Sequence, residues 1–295
     1  MLRILTTAMV ATGLLAGQAL ADGWSKLVDP AGLAALVEEG DAVVLDIRSP
    51  KDYAAGHVET AVNVPYHAWR GPDENPGALI DDGKVTLLLS EAGIARDTPV
   101  VVTYRGEDAS DFGAAARVYW TLKSAGVERI AILNGGLEAW RAAGMELSRG
   151  EWANIPSDET FAVSDAWKID REGVAAVIAG GRDAILVDAR PDAFFRGVKK
   201  HEAAAEAGTL SGAVNLLHER FFASKGRMVE DREAVLALAR AAGWTPGAEV
   251  VSFCNTGHWA ATNWFALSEI GGIEGVKLYP ESLVGWTRSD RLVGV

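Results

Sequence analysis

Val250-Val251-Ser252-Phe253-Cys254-Asn255-Thr256-Gly257-His258-Trp259-Ala260 decides how this chain is read, because it holds the only cysteine among 295 residues. Glu249 to Phe253 is a short apolar, β-favouring run and reads as a buried strand. Gly257 to Ile270 then shows helical spacing, with Trp259, Ala260, Trp264, Leu267 and Ile270 as inward positions. Cys254 is therefore expected where a strand stops and a helix starts. Backbone N–H groups at such a place lack partners within the helix. The positive end of the helix dipole favours thiolate, the nucleophilic form of the side chain. The competing reading is a cysteine packed as a small hydrophobe. The small or polar residues that follow, Asn255, Thr256 and Gly257, favour a reactive and reachable thiol.

The amino terminus bears on that thiol. Met1-Leu2-Arg3 is a positive start, Ile4 to Leu15 an apolar run, and Ala19-Leu20-Ala21 a small-x-small cleavage site. Residues 1–21 read as a signal peptide, with a mature periplasmic protein starting at Asp22. The apolar run is short for a membrane span, so no stable membrane insertion is expected after cleavage. A single cysteine makes no internal disulfide, and a lone thiol in an oxidising compartment calls for a use. The net charge of −12 argues against a nucleic-acid partner, which would call for a basic surface.

From Asp22 the chain repeats itself. Val43 to Arg48 returns as Ile185 to Arg190, and Gly56 to Asn63 as Gly208 to Asn215. Val101 to Arg105 returns as Val250 to Cys254, which sets Arg105 in the place of the cysteine. Ile132 to Trp140 returns as Leu278 to Trp286. Two units are expected, 22–148 and 166–295, with a linker over 149–165 where Gly150, Asn154, Pro156 and Ser157 break any period. In the first unit Ala31 to Glu39, Phe112 to Ala125 and Gly136 to Ala143 read as helices. Val43 to Asp46, Val100 to Thr103 and Ile130 to Leu133 read as strands. Alternating strands and helices predict an α/β fold, twice: mainly parallel sheets with helices on both faces and sites at the carboxyl ends of strands.

With these residues in hand, the chain resembles the tandem-domain rhodaneses, the thiosulfate and mercaptopyruvate sulfurtransferases. The resemblance covers essentially the whole chain after residue 21. It rests on the Asp-x-Arg strand end, the Ala-Val-Asn segment, the strand–Cys–loop–helix unit and the Trp-terminated last helix, which follow in the same order in both units, with Arg105 in the place of the cysteine in the first. It implies that Cys254 takes a sulfur from a small anionic donor as a persulfide and passes it to cyanide or a thiol, or to a protein acceptor, without a cofactor or metal. It also implies that the loop from Asn255 through Thr256, Gly257, His258 and Trp259 to Ala260 holds that sulfur. Asp188, at a strand end on the active edge, reads either as orienting the loop or Arg190, or as part of a structural salt bridge between the units or with a neighbouring loop. The first unit, lacking a cysteine, would wall one side of the site.

Two departures from the family leave the donor open. The loop has neither the cations of thiosulfate-preferring members nor the Gly-Ser-Gly run of mercaptopyruvate-preferring ones, which leaves His258 as its potential cation or hydrogen-bond donor to a sulfonate. Six residues beyond Asp188, where many members have a substrate-binding arginine, stands Phe194, and Arg196 is the nearest replacement. Trp259 is expected at a pocket wall, whereas Trp120, Trp140, Trp264 and Trp286 read as core. His201 and Glu206 show no metal spacing. A non-turnover sulfur carrier is the alternative function. A cysteine phosphatase would need an arginine six residues after the nucleophile, where Ala260 stands.

Overall fold

Runs of two to four residues rich in valine, isoleucine and leucine form the strands of two sheets, and the central strands are buried on both faces, as parallel strands under helices must be. The computed structural model describes residues 24–224, 226–289 and 293; the expected signal peptide, 1–21, lies outside them. The first half runs β1 (Leu27–Val28), α1 (Pro30–Glu39), β2 (Val43–Asp46), α2 (Pro50–Ala55), β3 (Val62–Asn63), α3 (Asp82–Glu91), β4 (Val100–Thr103), α4 (Ala109–Ser124), β5 (Ile130–Leu133) and α5 (Gly136–Ala142). Its strands pair in parallel in the order β1-β5-β4-β2-β3.

The second half repeats the plan with α6 (Arg171–Ile178), β6 (Ile185–Asp188), α7 (Asp192–Phe195), β7 (Val214–Asn215), the hairpin β8 (Phe222–Ser224) and β9 (Arg227–Met228), α8 (Arg232–Ala241), β10 (Val250–Phe253), α9 (Trp259–Phe265), β11 (Val276–Leu278) and α10 (Ser282–Thr287). The parallel order here is β11-β10-β6-β7. The fold is α/β, twice, as the sequence predicts.

Two expectations need correction. The helix expected from Gly257 starts at Trp259, because Gly257 has φ +70°, which an α-helix cannot contain. Its last stretch, Ala266–Ile270, widens into a π-helix that ends where Gly271 donates to the Ala266 carbonyl (2.8 Å).

The second correction is one of register. Asp46 pairs with Thr103 and Asp188 with Phe253. Ile47 then donates to the Thr103 carbonyl as Ala189 does to Phe253. Thr103 therefore corresponds to Phe253, and the place of Cys254 is taken by Tyr104, not by Arg105. Both strands open on consecutive valines, so a one-residue slip keeps the hydrophobic match while moving every side chain to the other face.

The halves share a core. Helix α4 is buried against its own sheet on one side and against α9 on the other. Phe112 and Tyr119 of α4 meet Phe265 edge-on at 5.4 and 4.9 Å between ring centroids. At the far end Glu269 accepts from Tyr119 (2.8 Å) and Lys123 (2.8 Å). Residues 149–164 form no helix or strand and lie along α3. They are held by bonds such as Ser157 N to Ser90 O (3.0 Å) and Phe161 N to Thr86 Oγ1 (2.9 Å).

Candidate active site

Cys254 is the residue directly after β10, at the carboxyl edge of its sheet. The following loop is pinned from one side by the start of α10. Leu283 and Val284 donate to the Cys254 and Asn255 carbonyls (3.1 and 2.9 Å). The Ser282 hydroxyl accepts from the amides of Cys254 (3.0 Å) and Gly257 (3.1 Å) and donates to the Tyr279 carbonyl (2.8 Å). Ser282 is fully buried at φ +52°, a left-handed conformation costly for a side-chain-bearing residue. Its counterpart in the first half is Gly136, at φ +58°. The amides of Asn255, Thr256, His258 and Trp259 have no acceptor among the described residues.

The Gly257 amide is committed to Ser282, and the glycine is required for space as well as conformation. A Cβ at Gly257 would lie 2.3 Å from Arg117 Nη1 and 2.4 Å from the Pro280 carbonyl oxygen.

The thiol, read from the sequence as reachable, is buried. Cys254 is 1% exposed. It shares a hydrophobic cluster with residues of α4 and α9, and a bridge from the first half reaches its loop. In that bridge the Tyr66 hydroxyl lies 2.9 Å from His258 Nδ1, and His258 Nε2 lies 2.8 Å from the Ser110 carbonyl oxygen. A carbonyl only accepts, so Nε2 carries the proton and Tyr66 donates to Nδ1. Burial, with Arg70's charge next in weight, pushes the His258 pKa down to about 3. His258 is therefore a neutral strut between the halves, with both nitrogens engaged, and neither a cation nor a free donor. Trp259 donates to Ser110 Oγ (2.8 Å), stacks on His218 (4.9 Å, 9°) and meets Phe194 edge-on (6.1 Å). Ala260 is buried, and its carbonyl accepts from Ser252 Oγ (3.0 Å).

Asp188 and Arg190 form a buried ion pair (2.6 Å), and Arg190 also donates to the Gly208 carbonyl (2.7 Å). Asp46 and Arg48 make the same pair (2.6 Å), with the bond to Gly56 O at 2.8 Å, in the half without a cysteine. The pair therefore belongs to the fold, tying the strand end to the following loop. Arg190 reaches the cysteine loop by one further bond, to Asn255 Oδ1 (3.2 Å). Thr256 is buried, and its carbonyl accepts from Arg70 Nη2 (2.7 Å). Arg196 is 70% exposed and pairs with Asp192 (2.8 Å) on the surface. Arg105 is also on the surface, between Asp52 and Glu107.

The cations missing from the loop stand on the opposite wall. Arg117, from the middle of α4, is buried and donates to the Gly77 (3.1 Å) and Gly257 (3.4 Å) carbonyls. Burial, reinforced by the nearby Arg70 charge, brings its pKa down to about 9, so it stays cationic at neutral pH. A negative Cys254 would act against that fall, and would likewise raise the Tyr66 pKa, which burial already raises. Sequence reasoning missed Tyr66, Arg70, Arg117 and Ser282. A signal for Arg117 existed: one charge inside the apolar run Phe112 to Leu122. Arg70, followed by Gly71-Pro72, carried none.

A family model for the rhodanese-like domain matches the chain twice, over residues 29–143 and 172–289. A Mycobacterium tuberculosis protein, provisionally named thiosulfate sulfurtransferase SseB, is 31% identical over 275 residues, covering 88% of this chain and 93% of its own. Thiosulfate sulfurtransferase of Azotobacter vinelandii is 29% identical over 246 residues, covering 83% and 88%. Among solved structures, SseA of Escherichia coli, described as a 3-mercaptopyruvate sulfotransferase with the rhodanese fold, superposes with a TM-score of 0.75. The identity is 22%, over 88% of this chain and 98% of that one. The anaerobic ergothioneine biosynthesis enzyme of Chlorobium limicola superposes with a TM-score of 0.80 at 19% identity, over 92% and 70%.

Proposed function

The chain belongs to the rhodanese family, and from that premise we propose a sulfurtransferase that moves sulfane sulfur from thiosulfate, or a similar small anionic donor, through a Cys254 persulfide to cyanide or a thiol. The names of its relatives support sulfur transfer in general. One observation carries the finer reading. Cys254 directly follows β10 and opens a loop with amides that lack an acceptor among the described residues, and two arginines with no carboxylate partner among those residues bond to that loop.

In the first half-reaction the Cys254 thiolate attacks the outer sulfur of thiosulfate. A Cys–S bond to that sulfur forms, the S–S bond of the donor breaks, and the electron pair leaves with sulfite. In the second, cyanide takes the outer sulfur of the persulfide as thiocyanate, and the thiolate returns. Neither step requires a proton. That suits a site in which Tyr66 and His258 are bonded to one another. The loop amides act on the charged sulfur as an oxyanion hole acts on oxygen. By its first 21 residues the enzyme works in the periplasm.

The uncharged Asn255 and Thr256 after the cysteine keep open a second reading, a carrier loaded and unloaded by another protein without turnover on small molecules. Steady-state thiocyanate formation separates the two. Wild type should turn over and Cys254→Ser should not. A wild type that gains about 32 Da, one sulfur atom, and never passes it to cyanide or any small thiol is the carrier.

A further inference from the structure

Arg70 and Arg117 come from the half without a cysteine and have more donors than the protein satisfies. Arg117 lies with its guanidinium 5.3 Å from the Trp120 ring, and its Nε has no partner among the described residues. Arg70, half-buried over the Tyr66 ring (5.2 Å), spends Nη2 on Thr256, while its buried Nη1 is likewise unpartnered. The groups that act electrostatically on Arg117 are Arg70, Tyr66 and Cys254, none of them a carboxylate. The acid beside Gly77, Glu281, is already held by Arg171 (3.0 Å) and Asn75 (3.1 Å). Carbonyl oxygens can be satisfied by neutral donors. Two neighbouring like charges, one buried and one half-buried, with no carboxylate counterion among the described residues are costly, and a negative ligand lowers that cost.

We infer that Arg70 and Arg117 form an oxyanion-binding site on the face of the first half: their unpartnered N–H groups hold the sulfonate end of a donor such as thiosulfate, and the sulfite it releases, while the outer sulfur faces Cys254. The inference rests on the reading of Cys254 as the sulfur acceptor. Planar guanidinium forks match an oxyanion better than an ammonium does. With the charge supplied from across the domain boundary, the cysteine loop itself can be neutral, and the first half becomes a part of the donor site.

Sulfite, used as the probe, should bind saturably to wild type, read by tryptophan fluorescence and by protection of Cys254 from iodoacetamide in intact-mass measurements. Arg70→Met and Arg117→Met should each weaken sulfite binding about tenfold or more and raise the thiosulfate KM in parallel. Arg117→Lys should recover only part of the loss. The surface variant Arg105→Met should match wild type in every readout. Should Arg117→Met fail to fold, Arg70→Met at its half-buried position decides alone. Wild-type sulfite affinity and thiosulfate KM in the folded arginine variants, with Cys254 still gaining one sulfur, overturn the anion site and leave the sulfurtransferase standing. A wild type that never gains sulfur from thiosulfate or polysulfide overturns the functional reading instead.

Discussion

Replacing Ser282 tests whether the cysteine loop is held under strain. The residue has φ +52°, is fully buried, and its hydroxyl is the shared acceptor for the Cys254 and Gly257 amides. Ser282→Ala keeps the unfavourable backbone and removes that acceptor. Two buried N–H groups left unpaired cost about 1–3 kcal/mol each before relaxation. With one of them partly rescued by loop movement, a loss of about 2–4 kcal/mol is expected. Ser282→Gly removes the same acceptor but relieves left-handed strain of about 1–2 kcal/mol. Stability should therefore fall in the order wild type, Ser282→Gly, Ser282→Ala, with about 1–2 kcal/mol between the two variants. Urea unfolding with a common m-value measures the gap, and single-turnover persulfide formation reports the loop. Both variants should load sulfur more slowly than wild type. An alanine variant as stable as the glycine variant would show that the backbone carries no strain. One as stable as wild type would show that the two amides do not depend on the hydroxyl.

Acid should weaken the bridge between the halves. His258 is held neutral, with its pKa lowered from the ordinary 6.5 to about 3, so its contribution is complete above pH 6.5 and is lost as pH falls towards 3. At pH 5 the loss is about 2 kcal/mol. His218 and His201, lowered by burial, act with the same sign. The measurement is therefore the pH slope of unfolding in wild type minus that in His258→Gln, and equal slopes refute the assignment. Gly257→Ala combines a left-handed φ of +70° with a Cβ 2.3 Å from Arg117 Nη1 and 2.4 Å from the Pro280 oxygen. A loss of about 3 kcal/mol or more, with persulfide formation abolished, is expected in thermal unfolding and mass measurements. A variant of wild-type stability would mean that the loop is looser than its contacts imply.

Local pattern was enough for much of this molecule. The strands Val43–Asp46, Val100–Thr103 and Ile130–Leu133 were readable to the residue, because buried parallel strands are short apolar runs between turn residues. The internal repeat and the place of Cys254 after a central strand were equally plain. One register was not: the valine runs of β4 and β10 align equally well one residue apart. Only pairing with Asp46 and Asp188 makes Tyr104 the counterpart of Cys254.

What the sequence by itself determined is the α/β repeat and the one nucleophile, since strand period, helix period and cysteine chemistry are local properties. Tertiary structure alone decided what surrounds that nucleophile. Tyr66, Arg70 and Arg117 lie between 137 and 188 positions before Cys254 in the chain and reach its loop because α4 packs on α9. The same packing turned His258 from a candidate cation into a neutral strut and buried the thiol. Charge state and exposure depend on neighbours in space, and a sequence lists neighbours along the chain.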